Sequence, residues 1–209
     1  EGLDQVRGMG QCAGEGSPGA SKTVQDSPCL AEVSSDTTAA FTPPRPLAAD
    51  DNAAVFDCGR DALNHWFRRH AWRNQELGVS RTTVICDAEA GSIVGYVSLS
   101  TAQVERAWLP KARQRNRPDP LPAVLLGQLA VDLRWQGQGI ARSLMFYALT
   151  TAVRLSDQVG CFCVLTHPLD DDVRALYAAF GFEDLPFDPA RSMAVRIADL
   201  ARSGFGASD

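Results

Sequence analysis

From residue 123 to 149 the chain reads AVLLGQLAV, then DLRWQGQG, then IARSLMFYAL. The first stretch is short and nearly all apolar, the pattern of a strand covered on both faces. The last places Ile140, Leu144, Leu149 and, just beyond it, Val153 at near-helical spacing, which predicts an amphipathic helix. A buried strand that runs straight into a half-buried helix has to be laid under that helix, so this junction commits the chain to a layered domain.

The remaining segments agree. FDCGRDALNHWFRRHAWRNQELG predicts a helix capped by Asp57 and stopped by Gly78, with Leu63, Trp66, Phe67 and Ala71 on one face and Arg60, Arg68, Arg69 and Arg73 opposite. RTTVICD and SIVGYVSLS flank the polar turn AEAG and read as a hairpin. FTPPRPLAADD suits a first edge strand, and ERAWLPKARQRNRPDPLP is a basic, proline-rich connection. CFCVLTH reads as a second buried strand, DDDVRALYAAFGF as a short acid-started helix ended by Gly181 with Leu176 and Phe180 in the core, and ARSMAVRIADL as a last strand. The expected fold class is α/β, an α+β arrangement around a mixed sheet.

Residues 1–40 carry six acidic and two basic residues and few large apolar ones. They read as a disordered tail, or as upstream sequence foreign to the native protein. Residues 41–203 are expected to form the domain and 204–209 a flexible end. Cys86, Cys161 and Cys163 lie in apolar runs, where a reduced thiol behaves as a small hydrophobe. No cysteine or histidine spacing suits zinc, so no metal is expected. No apolar stretch is long enough for a bilayer and no secretory signal is evident, which points to a cytoplasmic protein.

Two glycines in the strand–helix turn suggest more than packing. The first amides of a helix lack partners and favour anions, and glycine lets a phosphate approach the backbone. Arg134 and Arg142 bracket the turn. GxxxxGK[ST] does not occur, and Arg142 stands where a dinucleotide fingerprint needs its third glycine. The turn alone leaves a phosphate cradle and a plain packing turn both open.

The wider pattern LAVDLRWQGQGIARSLM resembles the acyl-CoA motif R/Q-x-x-G-x-G/A of the GNAT superfamily of N-acetyltransferases, matched by Arg134, Gly137 and Gly139. FDCG, the basic proline-rich loop, VLLGQLAVD and LYAAFGF are similar to the acetyltransferase toxins of bacterial toxin–antitoxin pairs, which acetylate aminoacyl-tRNA and block translation. The resemblance covers about residues 41–200. It implies a mostly antiparallel sheet that splays after the LLGQLAV strand, flanked by helices. Acetyl-CoA would be the co-substrate, its pantetheine arm lying along Leu129, Ala130 and Val131. Its diphosphate would rest on Gln136, Gly137, Gln138, Gly139, Ile140 and Ala141, helped by Arg134 and Arg142. Because backbone does the binding, the side chains of Trp135 and Gln138 are expected to be free to vary. Tyr177 would protonate the leaving thiolate. The implied partners are aminoacyl-tRNA, a cognate antitoxin protein and a second copy of the chain in a homodimer.

An α-amino group has a pKa near 8, lowered by an adjacent ester, so a fraction is neutral at pH 7 without a strong base. Of the histidines His65, His70 and His167, the first two sit in a basic helix and read as solvated or packed rings. Nothing near Cys161 and Cys163 would lower their pKa, which argues against a covalent acetyl-thiol route. Residues 106–117 hold Arg106, Lys111, Arg113, Arg115 and Arg117 and no acid. With Arg68, Arg69 and Arg73 they form two basic clusters suited to a polyanion, here the acceptor stem of the tRNA. Two rival functions remain: acetylation of a small amine or a protein N-terminus, and an acyl-CoA-binding regulator without turnover. A small cation would prefer an acidic mouth; Asp170–Asp172 is the one candidate, and opening a helix already accounts for it.

Overall fold

A computed structural model of the chain describes residues 40–206. The tail expected over 1–40 lies outside them apart from Ala40, as do Cys12, Cys29 and the last three residues of the 204–209 end. Phe205, within that end, packs against Phe146 at 5.2 Å between ring centroids.

The apolar run forms β4 (Leu121–Val131) and the helix after it α4 (Ile140–Ser156). The other strands are β1 (Arg45–Pro46), β2 (Arg81–Cys86), β3 (Ile93–Val104), β5 (Cys163–Thr166), β6 (Glu183–Asp184) and β7 (Met193–Arg196). Their order in the sheet is β1-β2-β3-β4-β5-β7-β6. Only β4 and β5 pair in parallel among the described strands. Helix α4 is the crossover that this parallel pair requires. The mixed, mostly antiparallel sheet expected from the sequence is therefore the sheet observed.

One face of the sheet carries α4, α5 (Asp171–Ala178) and α6 (Ile197–Arg202) over Val97, Val124, Leu126, Val164 and Val195. Gly95 makes room for α4: a Cβ there would stand 3.0 Å from both Ile140 and Leu144. The opposite face is covered in two patches. Helices α1 (Asp61–Trp66) and α2 (Trp72–Glu76), joined by a π-helical turn at Phe67–Ala71, bury Phe67 and Ala71 against Phe56, Tyr96 and Ala130. The connection holding α3 (Lys111–Gln114) buries Leu109 over Val104, Leu121, Ala123 and Leu165.

Several local expectations need correction. Asp57 does not cap the first helix. Gly59, at φ +79°, turns the chain between them, and the Asp57 carboxylate accepts from Gly59 N at 2.8 Å and Asn64 Nδ2 at 2.7 Å instead. ARSMAVRIADL is a strand only to Arg196, the partner of Cys163 where β5 begins. From there Asp199 pairs with Arg196 and Arg202 and the segment coils as α6. Strand β4 is not buried throughout: Gly127 is exposed and Leu125, Gln128 and Leu129 are half-buried. Leu176 likewise is half-buried rather than core, and Phe180 only packs against the core's edge.

Candidate active site

Strands β4 and β5 pair from Ala123–Cys163 to Leu126–Thr166 and no further, whereas β4 stays paired with β3 as far as Val131–Gly95. The register with β3 slips between Ser98–Gln128 and Leu99–Leu126, leaving Gly127 as the extra residue of a bulge. Bulges bend the strand that carries them, and here the bend turns β4 away from β5. The gap is a cleft of about 850 Å³ that reaches both faces of the sheet. Cys58, Arg60 and Leu63 border it on the α1 side, and Gly137, Gly139, Ile140 and Arg142 on the α4 side.

The turn into α4 holds the donors. Gly137 and Gly139 adopt φ +77° and +82°, in the left-handed region, and open space lies where a Cβ would stand. None of the backbone N–H groups from Gln136 to Arg142 donates to a carbonyl or a side chain among the described residues. They converge on the N-terminus of a 17-residue helix, whose dipole favours negative charge there. Trp135 adds an indole N–H that is buried without a partner among the described residues, and its ring meets Phe41 edge-on at 5.4 Å.

The turn is tied down from below. Asp132 is 1% exposed and accepts from Arg134 Nε at 2.8 Å, Arg134 N at 3.1 Å and Asp57 N at 3.1 Å. Burial opposes its ionisation, but these donors outweigh burial and hold its carboxyl below the usual range. Gln136 Nε2 donates to Val131 O at 3.0 Å and Cys58 O at 3.3 Å, joining the turn to β4 and to the approach to α1.

Tyr177 is 5% exposed and lines the cleft between Thr166 and Phe182, whose ring is 5.3 Å away. Burial is the main reason that its hydroxyl titrates above the usual tyrosine range, so it stays protonated at neutral pH and can donate. Cys161 and Cys163 are raised by burial, Cys163 to about 12, and are poor nucleophiles.

Leu129, Ala130, Val131, Gln136, Gly137, Gly139, Ile140, Ala141, Arg142 and Tyr177 all line this one cleft. Arg134 and Gln138 do not line it, and the Arg134 guanidinium is engaged by Asp132. Of the basic residues, Arg113 pairs with Glu183 at 2.7 Å, Arg117 lies 4.5 Å over the Phe162 ring, Arg106 donates to Arg117 O, and Arg68 donates to Phe56 O. Arg69, Arg73, Lys111 and Arg115 are exposed, with no ion-pair partner among the described residues. His65 and His70 are exposed on their helix. Asp170 caps α5 through Val173 N at 2.9 Å and binds Arg60 at 2.5 Å, while Asp171 and Asp172 are exposed in the first turn of α5. Sequence reasoning missed Arg60, Gln128 and His167 as cleft residues. Only the end of a buried strand at His167 carried any signal for them.

A family model described as an acetyltransferase (GNAT) domain matches residues 79–184. The tRNA-acetylating toxin of Mycobacterium tuberculosis is 36% identical over 153 residues, 73% of this chain and 91% of that protein. The probable toxin TacT of Sinorhizobium fredii is 27% identical over 150 residues, 68% and 82% of the two chains. The structure of AtaT complexed with acetyl-methionyl-tRNAfMet superimposes with a TM-score of 0.73 at 28% identity, covering 78% of this chain and 99% of the other. AtaTR bound with AcCoA gives 0.69 at 28% identity, with 78% and 98% covered. The matched region spans the splayed strands, the turn and Tyr177, and the chain belongs to the GNAT family of acetyltransferases.

Proposed function

We propose that this chain transfers the acetyl group of acetyl-CoA to the amino group of aminoacyl-tRNA, as the toxin of a toxin–antitoxin pair. The observation that carries this reading is a cleft lined by elements from both faces of the sheet, with unpaired amides on its α4 side, Arg60 on its α1 side and Tyr177 in its wall. A thioester carrier and a bulky acceptor can then enter from opposite sides. A tRNA-acetylating toxin among the relatives and an acetyl-methionyl-tRNA on a structural neighbour support the acceptor.

The open space over Gly137 and Gly139 and the unused Trp135 donor suit a diphosphate and its ribose or pantetheine neighbours. The amides from Gln136 to Arg142 would hold the diphosphate. The β4 edge at Leu129 and Val131, without a β5 partner, would pair with pantetheine amides. Acetyl-CoA supplies an activated acyl group. Tyr177 holds a proton for the departing sulfur. Arg69, Arg73, Lys111 and Arg115 would receive tRNA phosphates directly, while Arg68, Arg106, Arg113 and Arg117 shape the same basic surface. A cytoplasmic site of action, a homodimer and an antitoxin partner belong to the same reading. The test is mass spectrometry of tRNA-linked aminoacyl groups after incubation with acetyl-CoA. Acetylated aminoacyl esters are expected; acetylation confined to free polyamines or peptides overturns the reading.

A further inference from the structure

His167 follows Thr166, the last residue of β5, and lines the cleft that Tyr177 also lines. Its Nδ1 lies 2.7 Å from Ser192 Oγ. Ser192 is fully buried, and its backbone N–H donates to Asp188 Oδ2 at 3.0 Å. The other Asp188 oxygen accepts from Ala190 N at 3.0 Å. Asp188 is itself buried. Burial works against its charge, but the Ser192 hydroxyl and the two backbone donors outweigh it and hold the carboxyl below the usual range.

An ionised carboxylate only accepts. Asp188 takes the Ser192 backbone N–H and so holds the serine in place, and Ser192 Oγ in turn is the partner that anchors His167 through Nδ1. With Nδ1 engaged by Ser192, Nε2 is the ring nitrogen left for the cleft, and it carries a lone pair when Nδ1–H donates to Ser192 Oγ. A base oriented by a third group behind it is the arrangement that nucleophile activation uses on many folds.

We propose that His167 accepts the proton of the attacking amine, with Ser192 and Asp188 as positioning residues that set its tautomer. The assignment rests on reading the chain as an aminoacyl-tRNA acetyltransferase. The amine nitrogen attacks the thioester carbonyl carbon, forming the C–N bond, and its proton passes to Nε2. The C–S bond then breaks and the Tyr177 hydroxyl protonates the sulfur, releasing CoA as the thiol. Water takes the proton from His167 and returns one to Tyr177, so one hydrogen has moved from nitrogen to sulfur. The other titratable or charged groups around His167 are Cys58 and Arg60 ahead of α1, Arg142 on α4, and Asp170 and Tyr177 of the α5 segment. Of these, Asp170 is already paired with Arg60.

Two measurements on the full chain test this. Long-range ¹H–¹⁵N correlation of the imidazole, which needs no acceptor, should show the Nδ1–H tautomer in wild type and lose that preference in Ser192→Ala. An Nε2–H tautomer in wild type, or an unchanged preference in Ser192→Ala, overturns the proposal. With aminoacyl-tRNA, His167→Gln should lower turnover at pH 7 by about 10²-fold without changing acetyl-CoA affinity. Wild-type turnover in the variant at pH 7 overturns it. If wild type acetylates only some other amine, the tRNA reading fails while the tautomer result still decides the role of His167.

Discussion

Leu126 is the last β4 residue with a partner on β5, Thr166, and the next residue, Gly127, is the bulge that carries β4 away. The cleft begins where that ladder stops, so its width depends on a residue with no side chain. A Cβ at Gly127 would meet only Leu125, at an ordinary 3.7 Å. Gly127→Leu should therefore fold normally and fill the cleft. Acetyl-CoA affinity by calorimetry should fall at least tenfold, with the thermal midpoint within a few degrees of wild type.

Gly139 precedes α4 with a left-handed backbone, and open space lies where its Cβ would stand. Alanine there would be strained by conformation, not by contact, costing about 1–2 kcal/mol. Gly139→Ala should lose that much in urea unfolding and weaken acetyl-CoA binding about tenfold or more, because relaxing the strain turns the amides.

Tyr177→Phe should reduce turnover by about 10²-fold while acetyl-CoA still binds. Because burial raises the Tyr177 hydroxyl above its usual range, the protonated form persists through ordinary assay conditions. The pH–rate profile should show no descending limb from this group below about pH 10. Any stability linked to the neutral hydroxyl is complete below the unfolded pKa and is lost only as pH rises through the folded one.

Asp132 joins β4 to the turn through Arg134 and Asp57. Asp132→Ala should cost about 1–3 kcal/mol by leaving buried donors unpaired, measured by denaturant unfolding. Its folded pKa is depressed, so its contribution is present above about pH 4 and fades as pH falls through the folded value. The variant should show a correspondingly weaker acid dependence over that window.

Neutralising Arg69, Arg73, Lys111 or Arg115 singly should weaken tRNA binding. Each change should also reduce the slope of log affinity against log salt by about 0.7–0.9 for every phosphate no longer neutralised. Arg113→Ala should change the slope less, since Glu183 already holds that guanidinium.

The strand, the turn and α4 were legible because each is written in local spacing: apolar runs, paired glycines and a helical period; Tyr177 was singled out only through the family resemblance. The splay was expected only from the family resemblance, and after the strand; it starts within it, because the bulge at Gly127 exists only in register with Ser98 and Leu99 of β3. His167 and Ser192 are brought together by β5–β7 pairing at Thr166–Met193, which no local pattern encodes. The motif position of Arg134 suggests a phosphate ligand, whereas Asp132 two residues earlier engages its guanidinium. That spacing is present in the sequence but is outweighed there by the glycines.

The most direct test of the central claim is a backbone amide NMR titration of the full chain with acetyl-CoA. The largest shifts should fall on Gln136 to Arg142, followed by Leu129 and Val131. Saturable binding whose shifts avoid the α4 turn, or no binding at all, would contradict it.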